Sequence, residues 1–323
     1  MKNMTNGSGG LSQTLQQKPN AHKKSTLKRK ENLTALAFIS IKYFGLIVFT
    51  VLPVIFALLY SFTDYFARVE TKPFLSRIGV LWCGFDNYKS LFADEVYSVP
   101  FLRAISNNLV LVLSVPLGII IGLVVAVMLS KEKLIRGSRV IRMLIYIPVV
   151  SSAVAMNIIW RYIFDNTYGI VNKITGWEIP WLTDPHWIKV AMIIKSSWGS
   201  IGRTMILCLA ALTNVGRDYY EAAELDGAGE VTKFFKISVP LISPTLFYLF
   251  CTGFIGNLQA YVDSQVFANG HPGAQTIVYF IWNYGINRSS YGIACAASFV
   301  LTISIMLITL LQFKISEKWV YSE

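Results

Sequence analysis

The chain has 323 residues, of which 54% are hydrophobic, 14% aromatic and only 15% charged. Average soluble domains carry about 25% charged residues, so this composition excludes a soluble globular protein, a disordered chain, a collagen-like fibre and a small secreted scaffold. Lys and Arg number 29 against 18 Asp and Glu, a net charge of +11. What that excess means depends on where the positive residues sit relative to the apolar runs.

A helix needs about 20 mostly apolar residues to cross about 30 Å of hydrocarbon. Six stretches qualify: 36–62, 108–129, 143–164, 187–212, 245–267 and 290–313. The expected fold is an all-α integral membrane protein, with a basic tail over 1–35 and a six-span domain over 36–323. The tail holds Gly7, Ser8, Gly9 and Gly10, then Lys23, Lys24, Lys28, Arg29 and Lys30. It is too long and polar for a signal peptide and no small-residue cleavage site follows the first span, so that span is read as retained. A nucleic-acid arm would use the same residues, but beside a membrane helix contact with anionic lipid is the better reading. In the second span Gly118, Gly122 and Ala126 form a small-xxx-small face suited to close helix packing.

The connection after that span carries Lys131, Lys133, Arg136, Arg139 and Arg142, whereas 165–186 offers only Lys173 and 268–289 only Arg288. With an even number of spans, this asymmetry puts both termini in the cytoplasm and 63–107, 165–186 and 268–289 outside. The first, second and sixth spans are strongly apolar. The third, fourth and fifth are diluted by Asn157, Lys195, Ser196, Ser197, Arg203, Asn257, Gln259 and Asp263.

Ser196, Ser200 and Arg203 fall at i, i+4 and i+7, one stripe of a helix. A charge at mid-membrane costs about 2.5–3.5 kcal/mol on insertion scales, so such groups face protein or a watery cavity. Asn257, Tyr261 and Ser264 repeat the spacing in the fifth span. Such groups can simply bridge helices. They also suit a path for a polar, ring-shaped solute, with Trp198 and Tyr261 stacking on a sugar face and Asn257 and the serines binding hydroxyls.

The segment 216–240, between the fourth and fifth spans, is the most informative. It reads Gly216-Arg217-Asp218-Tyr219-Tyr220-Glu221-Ala222-Ala223-Glu224-Leu225-Asp226-Gly227-Ala228-Gly229, followed by Phe234, Phe235, Ile237, Val239 and Pro240. Gly216 can end the preceding helix, Asp218 with Glu221 matches a capping box, and Gly227 permits the turn that ends a short helix. That helix presents two small alanines and an acidic rim on the cytoplasmic face.

Chemistry on soluble substrates finds no support. His22, His186 and His271 are scattered, Cys83, Cys208, Cys251 and Cys295 lack CxxC spacing, and no GxSxG or GxxxxGK[ST] occurs. The chain is not read as an enzyme, and no metal or catalytic residue is expected in it.

Glu221-Ala222-Ala223, then Gly227, then Ile237-x-Val239-Pro240 resembles the EAA loop of ABC importer permeases, with Val239 standing where the pattern has Leu. Tyr220 to Ala228 with Phe235 is similar to the carbohydrate-uptake branch, that of the maltose and glycerol-phosphate permeases. Gly84-Phe85-Asp86-Asn87-Tyr88 with Asn107-Asn108, and Asn269-Gly270-His271-Pro272-Gly273 with Thr276, resemble two further motifs of that branch, His271 replacing a glycine. The resemblance runs from Trp82 to Tyr284.

It implies a multi-pass subunit in a bacterial plasma membrane. The implied partners are a second homologous permease, two ATPase subunits and an extracellular solute-binding protein, with no nucleic acid. No cofactor is expected in this chain, because the ATPase would bind ATP and Mg. Glu221, Ala222, Ala223, Asp226 and Gly227 would then couple to the ATPase. The segments flanking the loop would line the solute path, singling out Ser197, Trp198, Ser200 and Asn257, to which polarity adds Tyr261. The solute would be a carbohydrate, favoured as an oligosaccharide, with Lys195 and Arg203 leaving room for an anionic sugar. The competing readings are a self-contained ion-coupled transporter using Asp263 and Lys195 as a relay, and a scaffold or sensor carrying no solute.

Overall fold

The computed structural model describes residue 36 and residues 39–64, 82–130 and 137–321. The basic tail and Lys131, Lys133 and Arg136 lie outside these residues. The described part is mostly helical, with no strand beyond one isolated bridge between Thr63 and Trp82. It falls into two units divided between Phe56 and Ala57.

The first unit holds most of α1 (Ile39–Ser61), interrupted by a π-helical turn at Ile47–Val51. Most of its large side chains there, Phe44, Phe49 and Val54 among them, are exposed and apolar. An apolar surface of this extent belongs against lipid or another chain.

The second unit comprises α2 (Asp86–Ala93), α3 (Glu95–Leu111), α4 (Ser114–Ser130), α5 (Ser138–Val150), α6 (Ala153–Ile163), α7 (Ile170–Thr175) and α8 (Trp187–Thr213). It continues with α9 (Arg217–Leu225), α10 (Glu230–Lys233), a π turn at Phe234–Ser238, α11 (Val239–Leu241) and α12 (Ser243–Leu258). A π turn at Asp263–Phe267, α13 (Ile277–Trp282), a further π turn at Asn283–Asn287 and α14 (Tyr291–Ser316) complete it.

Among the described residues, three helical stretches are long and apolar enough to cross a bilayer: Ile39–Ser61, Glu95–Ser130 and Tyr291–Ser316. Two bent pairs raise the number to five, α5 with α6 at 104° and Glu230–Leu241 with α12 at 66°. The sequence expectation of six uniform spans is therefore redrawn in three places. The second span starts earlier, because the Asp94 side chain accepts from Val96 N (3.0 Å) and caps a helix over residues read as outer loop. The third is broken where Ser151 and Ser152 are extended, Ser151 Oγ donating instead to Ile147 O at 2.7 Å. The fifth ends as an α-helix at Leu258 and resumes as the π turn at Asp263. The fourth is one 27-residue helix, α8, diluted by Lys195, Arg203 and its serines.

α8 is the central post. Its pairing with α4 is the most extensive between two helices in the fold, and it is close because Gly118 and Gly122 leave no side chain between the backbones. A Cβ on Gly118 would overlap Ser200 Oγ, and one on Gly122 would lie 2.5 Å from Thr204 Cβ. On another side Gly202 admits α5, since a Cβ there would come within 2.6 Å of Ile145 O. The buried apolar residues gather into three clusters, around Phe101 and Phe280, around Phe164 and Trp181, and around Met205 and Leu249.

Asparagines fasten the irregular parts. Asn107 Nδ2 donates to Pro272 O (3.0 Å) and Gln275 O (2.9 Å), while Asn108 Oδ1 accepts from Ile277 N (2.8 Å). Asn87 Nδ2 donates to Ser61 O (3.0 Å) and Thr63 O (2.9 Å). The motifs around Asn87, Asn107-Asn108 and Thr276 are thus clamps that hold loops onto helix ends.

Candidate functional site

A cavity of about 440 Å³ opens between α4, the α5–α6 bend, α8 and α12. α8 contributes Lys195, Ser196, Gly199, Ser200 and Arg203, so the stripe read from the sequence faces one space. α12 and the turn after it contribute Gly253, Gly256, Asn257, Ala260 and Asp263, and Ser114 and Asn157 add polar groups from α4 and α6.

The expected path residues separate here. Ser200 and Asn257 line the cavity. Asn257 Nδ2 donates to Ser114 Oγ (2.9 Å) and Leu111 O (3.2 Å), whereas its Oδ1 is buried with no hydrogen-bond partner. A buried carbonyl left unpaired costs about 1–3 kcal/mol. Ser197 turns to α4 and donates to Ser114 O at 3.2 Å. Trp198 is 38% exposed and meets Trp160 edge-to-face at 5.3 Å. Tyr261 packs against Trp282, ring centroids 5.5 Å apart.

At one end of the cavity Lys195 Nζ donates to Asn157 Oδ1 (2.8 Å) and pairs with Asp263. The pair joins residues 68 positions apart, the same two that the competing ion-coupled reading named as a relay. Asn157, 2% exposed, lies across from Lys195. Its mid-span amide was the signal available in the sequence.

The segment 216–240 forms a second assembly. α8 ends at Thr213 with Asn214 as its C-cap, and Gly216 is the N-cap of α9, with no side-chain cap. The expected capping box is therefore absent. The helix begins one residue before Asp218, which sits inside the first turn, where its charge complements the helix dipole. Glu221 makes no ion pair or hydrogen bond among the described residues. The end of α9 follows expectation: Gly227 has φ +74°, its N–H reaches Glu224 O (3.0 Å), and Ala228 N reaches Ala223 O (2.9 Å). These two bonds are a Schellman motif.

The far wall braces α9. Tyr220 OH and Ser238 Oγ are 2.9 Å apart, and Lys233 Nζ donates to Glu224 (2.8 Å) and Glu230 (2.6 Å). Outward, Glu221, Ala222, Asp226 and Gly227 are exposed, Ala223 is half-buried, and Leu225 is 90% exposed. On the segment 165–186, Asp165 accepts from Tyr168 N (2.8 Å) and Thr167 N (2.9 Å), and Asp184 from His186 N (2.8 Å) and Trp187 N (3.1 Å). These backbone donors, Tyr168 N–H at Asp165 and Trp187 N–H at Asp184 foremost, hold both carboxyls below the usual range.

Apolar-surfaced helices around a cavity that carries charged and amide side chains, two of them broken beside it, suit a membrane transport component. The chain belongs to the family described as binding-protein-dependent transport system inner membrane components, which matches residues 115–320. It is 33% identical over 318 residues to the probable ABC transporter permease protein YesP of Bacillus subtilis (strain 168), covering 94% of this chain and 96% of that one. It is 32% identical over 302 residues to the lactose transport system permease protein LacF of Rhizobium radiobacter, covering 90% and 96%. Its fold resembles a chain in the crystal structure of a bacterial ABC transporter that imports the acidic polysaccharide alginate. That match has a TM-score of 0.74 at 24% identity, over 92% of this chain and 99% of the other.

Proposed function

We propose that the chain forms half of the solute path of an ATP-driven importer for a carbohydrate, an oligosaccharide in particular. A second permease completes the path, an extracellular binding protein delivers the solute, and two separate ATPase subunits bind ATP and Mg. The protein crosses the membrane six times, α8 being the span whose polar face looks into the cavity, and both termini are cytoplasmic. Kinship to a lactose permease supports the carbohydrate reading.

The observation that carries this is the pairing of two features on one helix run. α8 lines a polar cavity with an unsatisfied amide oxygen opposite, and three residues beyond its end α9 presents a small-residue, acid-rimmed surface with Leu225 fully outward. Docking of α9 in an ATPase cleft would transmit closure of the ATPase pair along α8 to the cavity, a rigid-body switch. Solute hydroxyls would meet Ser200 and Asn257. Trp198 and Tyr261, each partly exposed, would face the solute across the gap that the second permease closes.

The test is reconstitution. Alone in liposomes the chain should show neither ATPase activity nor uptake. With the second permease, the ATPase pair and the binding protein, both should appear. Gradient-driven uptake by the single chain, without ATP, would refute the reading and favour an ion-coupled carrier.

A further inference from the structure

Three charged groups line the cavity: Lys195, Arg203 and Asp263. Lys195 and Asp263 neutralise one another. Arg203 has no carboxylate within ion-pair distance among the described residues, and its side chain is exposed to the open space. The cavity therefore carries one uncompensated positive charge, two turns along α8 from the pair, about 12 Å at 1.5 Å per residue.

A charge placed midway along a span costs about 2.5–3.5 kcal/mol. An arginine that served packing would recover that cost through a fixed acceptor on a neighbouring helix, as Lys195 does with Asn157 and Asp263. Arg203 has none. A neutral solute would accept hydrogen bonds from a guanidinium there but would not compensate its charge. An anionic one would, because low-dielectric walls focus the field of a lone charge onto whatever occupies the space.

We infer that the cavity selects an oligosaccharide bearing carboxylates, a uronate-containing one, and that Arg203 is the residue that binds the carboxylate in transit. The planar guanidinium matches a carboxylate through two parallel hydrogen bonds. One net positive charge balances one carboxylate, whereas a phosphate monoester carries about −1.5 to −2 and would stay undercompensated. This rests on the carbohydrate-importer reading above.

The test uses the assembled importer in proteoliposomes, with a trisaccharide carrying a single hexuronate and its carboxyl-reduced, neutral counterpart supplied in competition. The binding protein is the same in every assay, so a change in the uptake ratio between variants belongs to this chain. The ratio of acidic to neutral uptake should fall at least tenfold in Arg203→Gln and be largely kept in Arg203→Lys, with assembly verified by size exclusion. An unchanged ratio in Arg203→Gln, an equal loss of both substrates, or preference of the wild type for the neutral trisaccharide would overturn the inference and leave the importer reading standing. ATP-dependent uptake of neither trisaccharide would overturn both.

Discussion

Gly122→Ala is the sharpest probe of how this fold is held together. The added Cβ would lie 2.5 Å from Thr204 Cβ, 2.7 Å from Thr204 Cγ2 and 3.2 Å from Ile201 O. Carbon atoms rest at about 3.5–4.0 Å, so the overlap is about 1 Å or more. Thr204 is 2% exposed, and its Cβ moves only with its backbone, so α4 and α8 must part. Overpacking of this kind costs about 1–3 kcal/mol, about 5- to 150-fold in the folded-to-unfolded ratio. Denaturant titration of the purified protein in mild detergent, followed by tryptophan fluorescence, reads the loss. Gly199→Ala is the control: nothing lies within 4 Å of its added Cβ, and alanine is favoured over glycine inside a helix by about 1 kcal/mol. It should be neutral or stabilising. Adding Thr204→Gly to Gly122→Ala should recover part of the loss. Equal stability of Gly122→Ala and wild type would refute the close-packing argument for α4 and α8.

Three other perturbations separate structure from function. Gly227→Pro cannot adopt φ +74° and removes the N–H that reaches Glu224 O; the chain should still insert, but co-purify poorly with the ATPase or leave its activity unstimulated by solute, and full stimulated activity would remove α9 from coupling. Asp263→Asn strands the Lys195 ammonium in a buried position, and breaking such a pair costs about 3–5 kcal/mol; the double change Lys195→Met with Asp263→Leu should cost far less in the same titration, and equal losses would show that charge is not the cause. For Asp184 the folded carboxyl titrates below its unfolded value near 3.9, so its capping contribution is present above that value and disappears only as pH falls below it. Exchange protection of the His186 and Trp187 amides, corrected for intrinsic rates, should be flat from pH 5 to 8 and lost in Asp184→Ala; a transition within that window would contradict the assignment.

What the sequence disclosed were features whose cause is local. Gly227 announced a left-handed residue because a nine-residue helix stops there, and the i, i+4, i+7 stripe of α8 faces one cavity because helix geometry permits no other arrangement. Gly118 and Gly122 were legible as a packing face for a similar reason. The features that stayed hidden depend on partners distant in the chain. Pro148 and the Ser151-Ser152 pair mark a helix break but not the size of its 104° bend, since apolar residues continue on both sides. Asp94, Glu95 and Arg103 made the start of α3 look like loop, and only the Asp94 cap turns it into helix. Ser197 and Ser200 look alike as serines of one polar span, yet one binds α4 and the other lines the cavity. Asn107 and Asn108 read as a motif without a role until Pro272, Gln275 and Ile277 arrive beside them.

The Lys195–Asp263 pair also sets a clock for biogenesis. Chains emerge at about 5–20 residues per second, so the 68 residues that separate the two partners take about 3–14 s to make. Throughout that interval the fourth span of the proposed topology holds an ammonium whose carboxylate does not yet exist. Asn157, synthesised 38 residues earlier, is already present to accept its hydrogen bond. The α5–α6 bend, which carries that amide to the flank of α8, would thus give a costly charge one polar partner before its permanent counterion is translated.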